Sequence, residues 1–318
     1  MSLFANIWAN NSRLLYYVKH LLEFSTSAEA KAERIRCFLK SATPDQKTDI
    51  ERRTKYYNQV SQSFTLSEHA TPVRINFLER QRNYQIDLFR YTRLFPRHFK
   101  VQRLFGDVRQ SPTIPTIVKA RPILESGNSN GILLNLNKIR HFKFPTDPIP
   151  FSAKRDVLVW RGTATQQNRI RFLEKFYQHP NCDVGHSSKA KTKGPWNKPF
   201  LPIKEQLKYK FILSLEGNDV ATNLKWILNS NSLCFMPKPK NETWFMEGTL
   251  QPDIHYVCVN DDFSNLEEKL NHFTQHPESA LAIIQCARTH VRQFFKPNME
   301  DAVAFNVLLS YFTTSGQL

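Results

Sequence analysis

The chain has 318 residues, 41% of them apolar and 12% aromatic, and 44 Lys and Arg against 28 Asp and Glu leave a formal net charge of +16. That composition excludes a disordered chain, the length predicts two domains rather than one core, and no apolar run approaches the roughly 18 residues of a membrane-spanning helix. The scattered, odd set Cys37, Cys182, Cys234, Cys258 and Cys286 contains no CxxC pair, which argues against a disulfide framework or a structural zinc site and fits a reducing cytoplasm.

The first 24 residues have no basic residue ahead of an apolar block and no small-residue cleavage site, so they do not read as a secretory signal. Leu14, Val18, Leu21 and Leu22 share one helical face, and a second helix is expected over Ala28–Leu39. The helix over Arg13–Phe24 packs in the fold or rests on a membrane, with packing the simpler reading. Thr43-Pro44 reads as an N-cap and first-turn proline opening a polar helix toward Tyr57. Arginine-rich NFLERQRNYQIDLFRYTRLF (76–95) has apolar residues at helical spacing and stops at Pro96; its basic residues read as a solvated face. FKVQRLFGDV (99–108) is a predicted strand ending at Gly106-Asp107, and PTIPTIVKARPI (112–123) is a second extended segment. Pro145, Pro148 and Pro150 then mark the linker.

Beyond the linker, strands and helices alternate. DVLVW (156–160), CDVGH, YKFILSL (209–215), SLCFMP and IHYVCV (254–259) read as strands. NRIRFLEKFYQ (168–178), VATNLKWIL, NLEEKLNHF and ALAIIQCARTHVRQFF read as helices, the last with Ala280, Ile284, Ala287, Val291 and Phe294 on one face. This rhythm predicts an α/β fold with a mostly parallel sheet and helices on both sides.

Ligands in such sheets bind at the carboxyl ends of strands. Arg161, followed by Gly162 and Thr163, stands at one such end and offers a fork for a phosphate; the same residue fits a surface arginine capped by a turn. LSLEGNDVATNLKWIL (213–228) places Gly217, Asn218, Asp219, Val220, Ala221, Thr222, Asn223 and Lys225 at another. Helix-start amides with Thr222, Asn223 and Lys225 suit a diphosphate, and an ordinary βα corner explains the stretch as well. It lacks the dinucleotide and P-loop glycine patterns. Glu242 or Glu247 in NETWFMEG suits ribose hydroxyls, beside the plainer reading of a solvated loop. Asp107, behind a glycine and near Arg109, suits a general base or a turn aspartate. Cys182 and His186 lack further ligands at metal spacing, and Asn260-Asp261-Asp262 reads as helix capping before Ser264.

The order FGDV, IPTIVKARPI, NSNGILLNLNKIRHF, WRGT, LKYKFILSLEGNDVATNLKWILNSNSLCF, ETWFMEG and PDIHYVCVNDDFSNLEEKL resembles glycosyltransferase family 90. This family includes capsule proteins, secretory protein O-glucosyltransferases and bacterial lipopolysaccharide-modifying transferases. The resemblance spans roughly residues 76–300, is most specific over 205–270 and is strongest to the bacterial branch, which adds a hexose to inner-core lipopolysaccharide. It implies a GT-B architecture, two Rossmann-like domains facing across a cleft. The domains expected are 1–148 on the acceptor side, 149–300 on the donor-nucleotide side and a C-terminal helix and tail over 301–318. It also implies inversion, a UDP-hexose donor (glucose or galactose), no metal and no other cofactor.

By motif, Asp107 matches the family's catalytic base, and Arg161 a donor-diphosphate arginine. Gly217–Lys225 matches the loop and helix start that bind the donor phosphates. Lys119 and Arg121 are the expected acceptor contacts. In the secretory members an arginine occupies the position aligned with Asn223, and the segment between Asp107 and KARP is shorter here. The partners implied are a UDP-hexose, a lipopolysaccharide core acceptor and the anionic cytoplasmic face of an inner membrane. The net charge also suits nucleic acid, but no nucleic-acid-binding pattern accompanies it. Transfer to another surface glycan or to a protein, and a non-catalytic envelope protein, are the remaining alternatives.

Overall fold

The computed structural model describes Tyr16, Val18 and residues 22–74, 81–125, 130–188 and 194–318. The chain forms two compact units, residues 1–142 with 296–318, and residues 143–295. The boundary falls a few residues ahead of the one expected at 148.

In the first unit the Ser27 hydroxyl accepts from Ala30 N at 2.9 Å and starts α1 (Ala28–Ser41). Thr43 and Gln46 form a reciprocal capping box, with Pro44 in the first turn, and α2 (Pro44–Tyr57) runs as the sequence predicts. Leu14 and Leu21, and the start of the arginine-rich helix at 76–80, lie outside the described residues. After β1 (Thr71–Pro72), the described part of that helix is α3 (Arg82–Thr92), which buries Tyr84, Ile86, Leu88 and Tyr91. The single strand expected over 99–108 is instead two, β2 (Lys100–Val101), antiparallel to β1, and β3 (Arg103–Leu104). The break has a visible cause: Gln102 N donates to the Tyr311 hydroxyl at 2.8 Å rather than to a strand. β4 (Thr116–Val118), β5 (Ala120–Pro122), β6 (Gly131–Leu133) and α4 (Lys138–His141) follow. Strands β3, β4 and β6 form a parallel sheet in that order, with Leu104 opposite Val118.

The second unit begins with the Pro-rich stretch, which is fixed rather than loose. Asp147 accepts from Lys154 Nζ at 2.8 Å and from Asn231 N at 2.7 Å, which pins it to the body of the unit. Then come β7 (Arg155–Gly162), α5 (Gln167–Phe176), β8 (Cys182–His186), α6 (Ile203–Gln206), β9 (Tyr209–Leu213), α7 (Leu224–Leu228), β10 (Leu233–Met236), β11 (Asn241–Thr243) and β12 (Val257–Cys258). Five of these strands form one all-parallel sheet in the order β12-β10-β9-β7-β8. Leu158, Trp160, Phe211, Leu213, Leu233 and Phe235 alternate onto one core, which α5 joins through Phe172 and Leu173. The intervening Val159, Ile212 and Cys234 are buried too. Both faces are therefore covered, as a parallel sheet requires.

Two elements are shorter than expected. Of IHYVCV only Val257–Cys258 pairs in the sheet, because the preceding residues are wound into turns by Asp253 N on Tyr256 O and His255 N on Gln251 O. Of VATNLKWIL only Leu224–Leu228 is helical, with Val220–Asn223 in irregular backbone before it. The unit ends with α8 (Leu266–Gln275) and α9 (Pro277–Arg292), the latter burying Ala280, Ile284, Ala287 and Val291; Phe294 is buried in the single turn that follows. The chain then returns to the first unit as α10 (Pro297–Thr314), packed against α1, α2 and α3. Residues 301–318, expected as a C-terminal helix and tail, thus supply core, with Phe305, Leu308, Tyr311 and Phe312 buried. Among the described residues no helix is long and apolar enough to cross a membrane.

Candidate functional site

In the second unit the first strand in the chain, β7, lies between the second, β8, and the third, β9. The strand order therefore reverses between β7 and β9, and a crevice at the carboxyl ends beside such a reversal is where open α/β sheets hold ligands. An open crevice lies at the carboxyl ends of β9, β10 and β12, against α5. Val220, Ala221, Leu224, Met236, Pro237 and Phe263 form an apolar wall, and Ser214, Glu216 and Asn168 add polar groups. Arg171 and Lys238, both exposed, stand at its rim without an ion pair among the described residues.

The structure distributes the expected donor residues unevenly around this crevice. Val220 and Ala221 line it, and Glu247 reaches it. Asn218, exposed, accepts from Gln166 Nε2 at 3.1 Å; Asp219 is buried, and Thr222 is half-buried. Asn223 ties down the end of β9, donating to Leu213 O at 3.0 Å and accepting from Ser214 Oγ at 3.1 Å. Lys225 lies 2.7 Å from Glu247, both side chains 1% exposed, and Glu247 also accepts from Thr243 N at 2.6 Å. The α7 helix has five residues, too few to present an aligned dipole to a ligand.

Arg161 turns back along the sheet. Its Nη2 donates to Asp183 Oδ1 and its Nη1 to Asp183 O, both at 2.6 Å. Asp183 also accepts from Lys198 at 2.9 Å and from Tyr209 at 2.8 Å. Burial pushes the Asp183 carboxyl up, but the hydrogen bonds from Lys198, Arg161 and Tyr209 outweigh it and hold the pKa at about 2. Gly162 is required by packing, since a Cβ there would lie 2.8 Å from the Trp160 ring.

The crevice loops are joined by a residue the sequence reading passed over. Arg169, in the first turn of α5, donates to Thr163 O at 2.9 Å, Leu215 O at 2.7 Å and Glu216 O at 3.0 Å. Asn168 adds a bond to Glu216 O at 3.1 Å. Burial lowers the Arg169 pKa to about 10, against the attraction of Glu216. The Glu216 carboxylate accepts from Lys240 N and from Asn241 N and Nδ2, fixing the loop after β10; its pKa is raised, chiefly by burial. The usable signal was position: an Arg one turn into the helix that follows the reversal strand.

In the first unit, adjacent parallel strands bring two expected residues together. Asp107 lies just past β3 and Lys119 just past β4, so their side chains meet at the same carboxyl edge. Lys119 Nζ is 3.0 Å from Asp107 Oδ1; the lysine side chain is 2% exposed and the carboxylate 40%. Gly106, at φ +101°, makes the turn that presents Asp107. Arg121 has another use: its guanidinium donates to Tyr56 O at 2.7 Å, Gly131 O at 2.8 Å and Tyr57 O at 3.2 Å, and the side chain is buried. Among the described residues no three His, Cys, Asp or Glu side chains form a metal-binding group.

The sequence pattern of Glycosyl transferase family 90 matches residues 137–313, more than half of the chain. The chain belongs to glycosyltransferase family 90. This family 90 transferase is 45% identical, over 307 residues covering 95% of each chain, to the O-glucosyltransferase LpsA of Dichelobacter nodosus. It is 34% identical over 91 residues to Protein O-glucosyltransferase 2 of Danio rerio, a match covering 26% of this chain and 17% of that protein. The family match takes in the whole crevice of the second unit; Asp107, Lys119 and Arg121 precede it. In a family 90 transferase the crevice therefore belongs to the segment that defines the family.

Proposed function

We propose that this glycosyltransferase moves a hexose, glucose or galactose, from a UDP-sugar to an inner-core lipopolysaccharide acceptor with inversion and without a metal. The observation that carries this reading is the crevice at the carboxyl ends of β9, β10 and β12, where an apolar wall adjoins a basic rim. The wall of Val220, Ala221, Leu224, Met236 and Phe263 suits a flat base and a ribose, and the cationic rim suits phosphates. Identity along nearly its whole length to an O-glucosyltransferase supports glucose as the sugar.

In the proposed step Asp107, in the first unit, takes the proton of the acceptor hydroxyl as that oxygen bonds to the anomeric carbon. The bond from that carbon to the β-phosphate oxygen breaks on the opposite face, and UDP leaves with the electron pair. The buried Lys119 ammonium fixes the Asp107 carboxylate for this task. The first unit holds 24 Lys and Arg against 13 Asp and Glu by sequence, a balance of +11, and the second 20 against 15, a balance of +5. The excess lies in the unit that carries Asp107, which supports an acceptor bearing phosphates at the anionic cytoplasmic face of a membrane.

A panel of UDP-sugars screened for protection against thermal unfolding tests the donor. UDP-glucose or UDP-galactose is expected to raise Tm more than its epimer. No shift with any UDP-sugar, together with no release of UDP from them, overturns the reading.

A further inference from the structure

We propose that a cleft in the first unit, lined by Arg74 and Arg103, takes an anionic group of the acceptor glycan and so sets acceptor specificity. This rests on the reading of the first unit as the acceptor side, with Asp107 as the base.

The cleft lies between α3 and the strands β1, β2 and β3. Gln85 and Thr92 of α3 line it with the two arginines, and among the described residues no carboxylate does. Elsewhere in this unit Arg53 lies 2.6 Å from Glu300, Arg90 2.9 Å from Glu23 and Lys119 3.0 Å from Asp107. Arg74, by contrast, is exposed and has no ion pair among the described residues. Two guanidinium groups on one cleft repel each other unless an anion joins them. Their planar forks suit a phosphate or a carboxylate.

Arg103 is aimed before any ligand arrives. Its Nε donates to Thr71 Oγ1 at 2.9 Å, and its guanidinium lies 4.8 Å from the centroid of the Phe105 ring. Phe105 packs in turn on Tyr84, ring to ring at 5.2 Å. Ordering the side chain in advance lowers the entropy lost on binding. Thr92 is 2% exposed, and its hydroxyl makes no hydrogen bond among the described residues. A ligand oxygen in the cleft would give it an acceptor.

Position along the chain relates the cleft to the base. Arg103 lies on the edge strand β3 and Asp107 just past it, roughly 10 Å or more away at about 3.3 Å per residue. A glycan whose hydroxyl reaches Asp107 would therefore offer Arg103 an anionic group on a neighbouring sugar rather than on the accepting one.

The test is the acceptor kinetics of the full chain on a lipopolysaccharide core oligosaccharide that is intact, dephosphorylated or carboxyl-reduced. Arg103→Gln is expected to raise KM for the intact acceptor about tenfold and Arg74→Gln about threefold. In both variants kcat and the KM for UDP-sugar stay within about twofold of the wild type. Removing the recognised group from the acceptor raises the wild-type KM similarly, and on that acceptor the variants no longer differ from the wild type. A loss on dephosphorylation identifies a phosphate, and a loss on carboxyl reduction a carboxylate. An intact-acceptor KM unchanged in both variants overturns the assignment. So does a KM raised equally on all three acceptors, which marks arginines that only hold the strands together. Should Arg103→Gln fail to fold, Arg74→Gln, whose exposed side chain makes no bond among the described residues, gives the same comparison. A wild-type chain that transfers no hexose to the intact core removes the acceptor reading itself, whereas transfer indifferent to both arginines removes only this site.

Discussion

Lys225 and Glu247 stand 2.7 Å apart with side chains 1% exposed, under Trp244 and Phe245. Removing one member leaves the other charged and unsolvated, so Lys225→Met is expected to lower stability by about 3–5 kcal/mol in urea unfolding. The double variant Lys225→Met with Glu247→Gln recovers part of that loss if the pair acts as a unit, and additive losses would show that it does not. Asp107 is the opposite case, a carboxylate 40% exposed and held on one side by a buried lysine. Asp107→Asn, whose amide oxygen can still accept from Lys119, is expected to remain folded and to lower kcat about 100-fold or more, the lower range of general base contributions. Near-normal turnover in that variant would move the base elsewhere. Neither environment is written in a motif. A lysine after a strand and a lysine in a helix look alike in sequence, and only the neighbouring strand or loop shows which carboxylate each one meets.

At the scale of elements, Asp183 joins three strands of the second unit. It sits on β8 and accepts from Arg161 of β7 and Tyr209 of β9, with Lys198 completing the set. Its pKa of about 2 lies below its ordinary value of 3.8. Because folding depresses it, Asp183 stabilises the fold at pH above about 4, and that stability drains as the pH falls toward 2. Acid unfolding followed by circular dichroism is expected to shift to higher pH in Asp183→Asn, whose loss is largest near neutrality and smallest at pH 2. A parallel shift across the whole range would deny the linkage. The same strands explain which elements were legible. DVLVW and YKFILSL are continuous apolar runs buried on both faces, and their type shows without any partner. VATNLKWIL has helical spacing, yet Asn223 donates to Leu213 O and accepts from Ser214 Oγ at the end of β9, which holds its first residues out of the helix.

At the scale of the whole molecule, charge divides between the two compact units as +11 and +5 by sequence. For an anionic acceptor handled by the first unit, KM for acceptor is expected to rise steeply with salt over roughly 50 to 300 mM NaCl, as neutralised phosphates re-bind counterions. KM for the UDP-sugar should change less, since its proposed crevice lies in the second unit, whose balance is only +5. An acceptor KM indifferent to salt would point to a neutral glycan or peptide.

The α/β class, the parallel βαβ rhythm of residues 155–292, the cap of α2 and the family are legible in the residues alone. These follow from local periodicity, turn chemistry and motif order, which need no partner across the fold. Tertiary structure alone decided that residues 296–318 return to the first unit, that Pro145–Pro150 is pinned by Asp147, and that Asp107 meets Lys119. It also decided what holds each cation of the strand-end loops. Arg161 and Lys225 stand in recognisable motifs and are neutralised by Asp183 and Glu247, whereas Arg169 stands in none and is held by main-chain carbonyls. A residue's type fixes its charge, but whether that charge is available depends on which opposite charge the fold brings within about 3 Å.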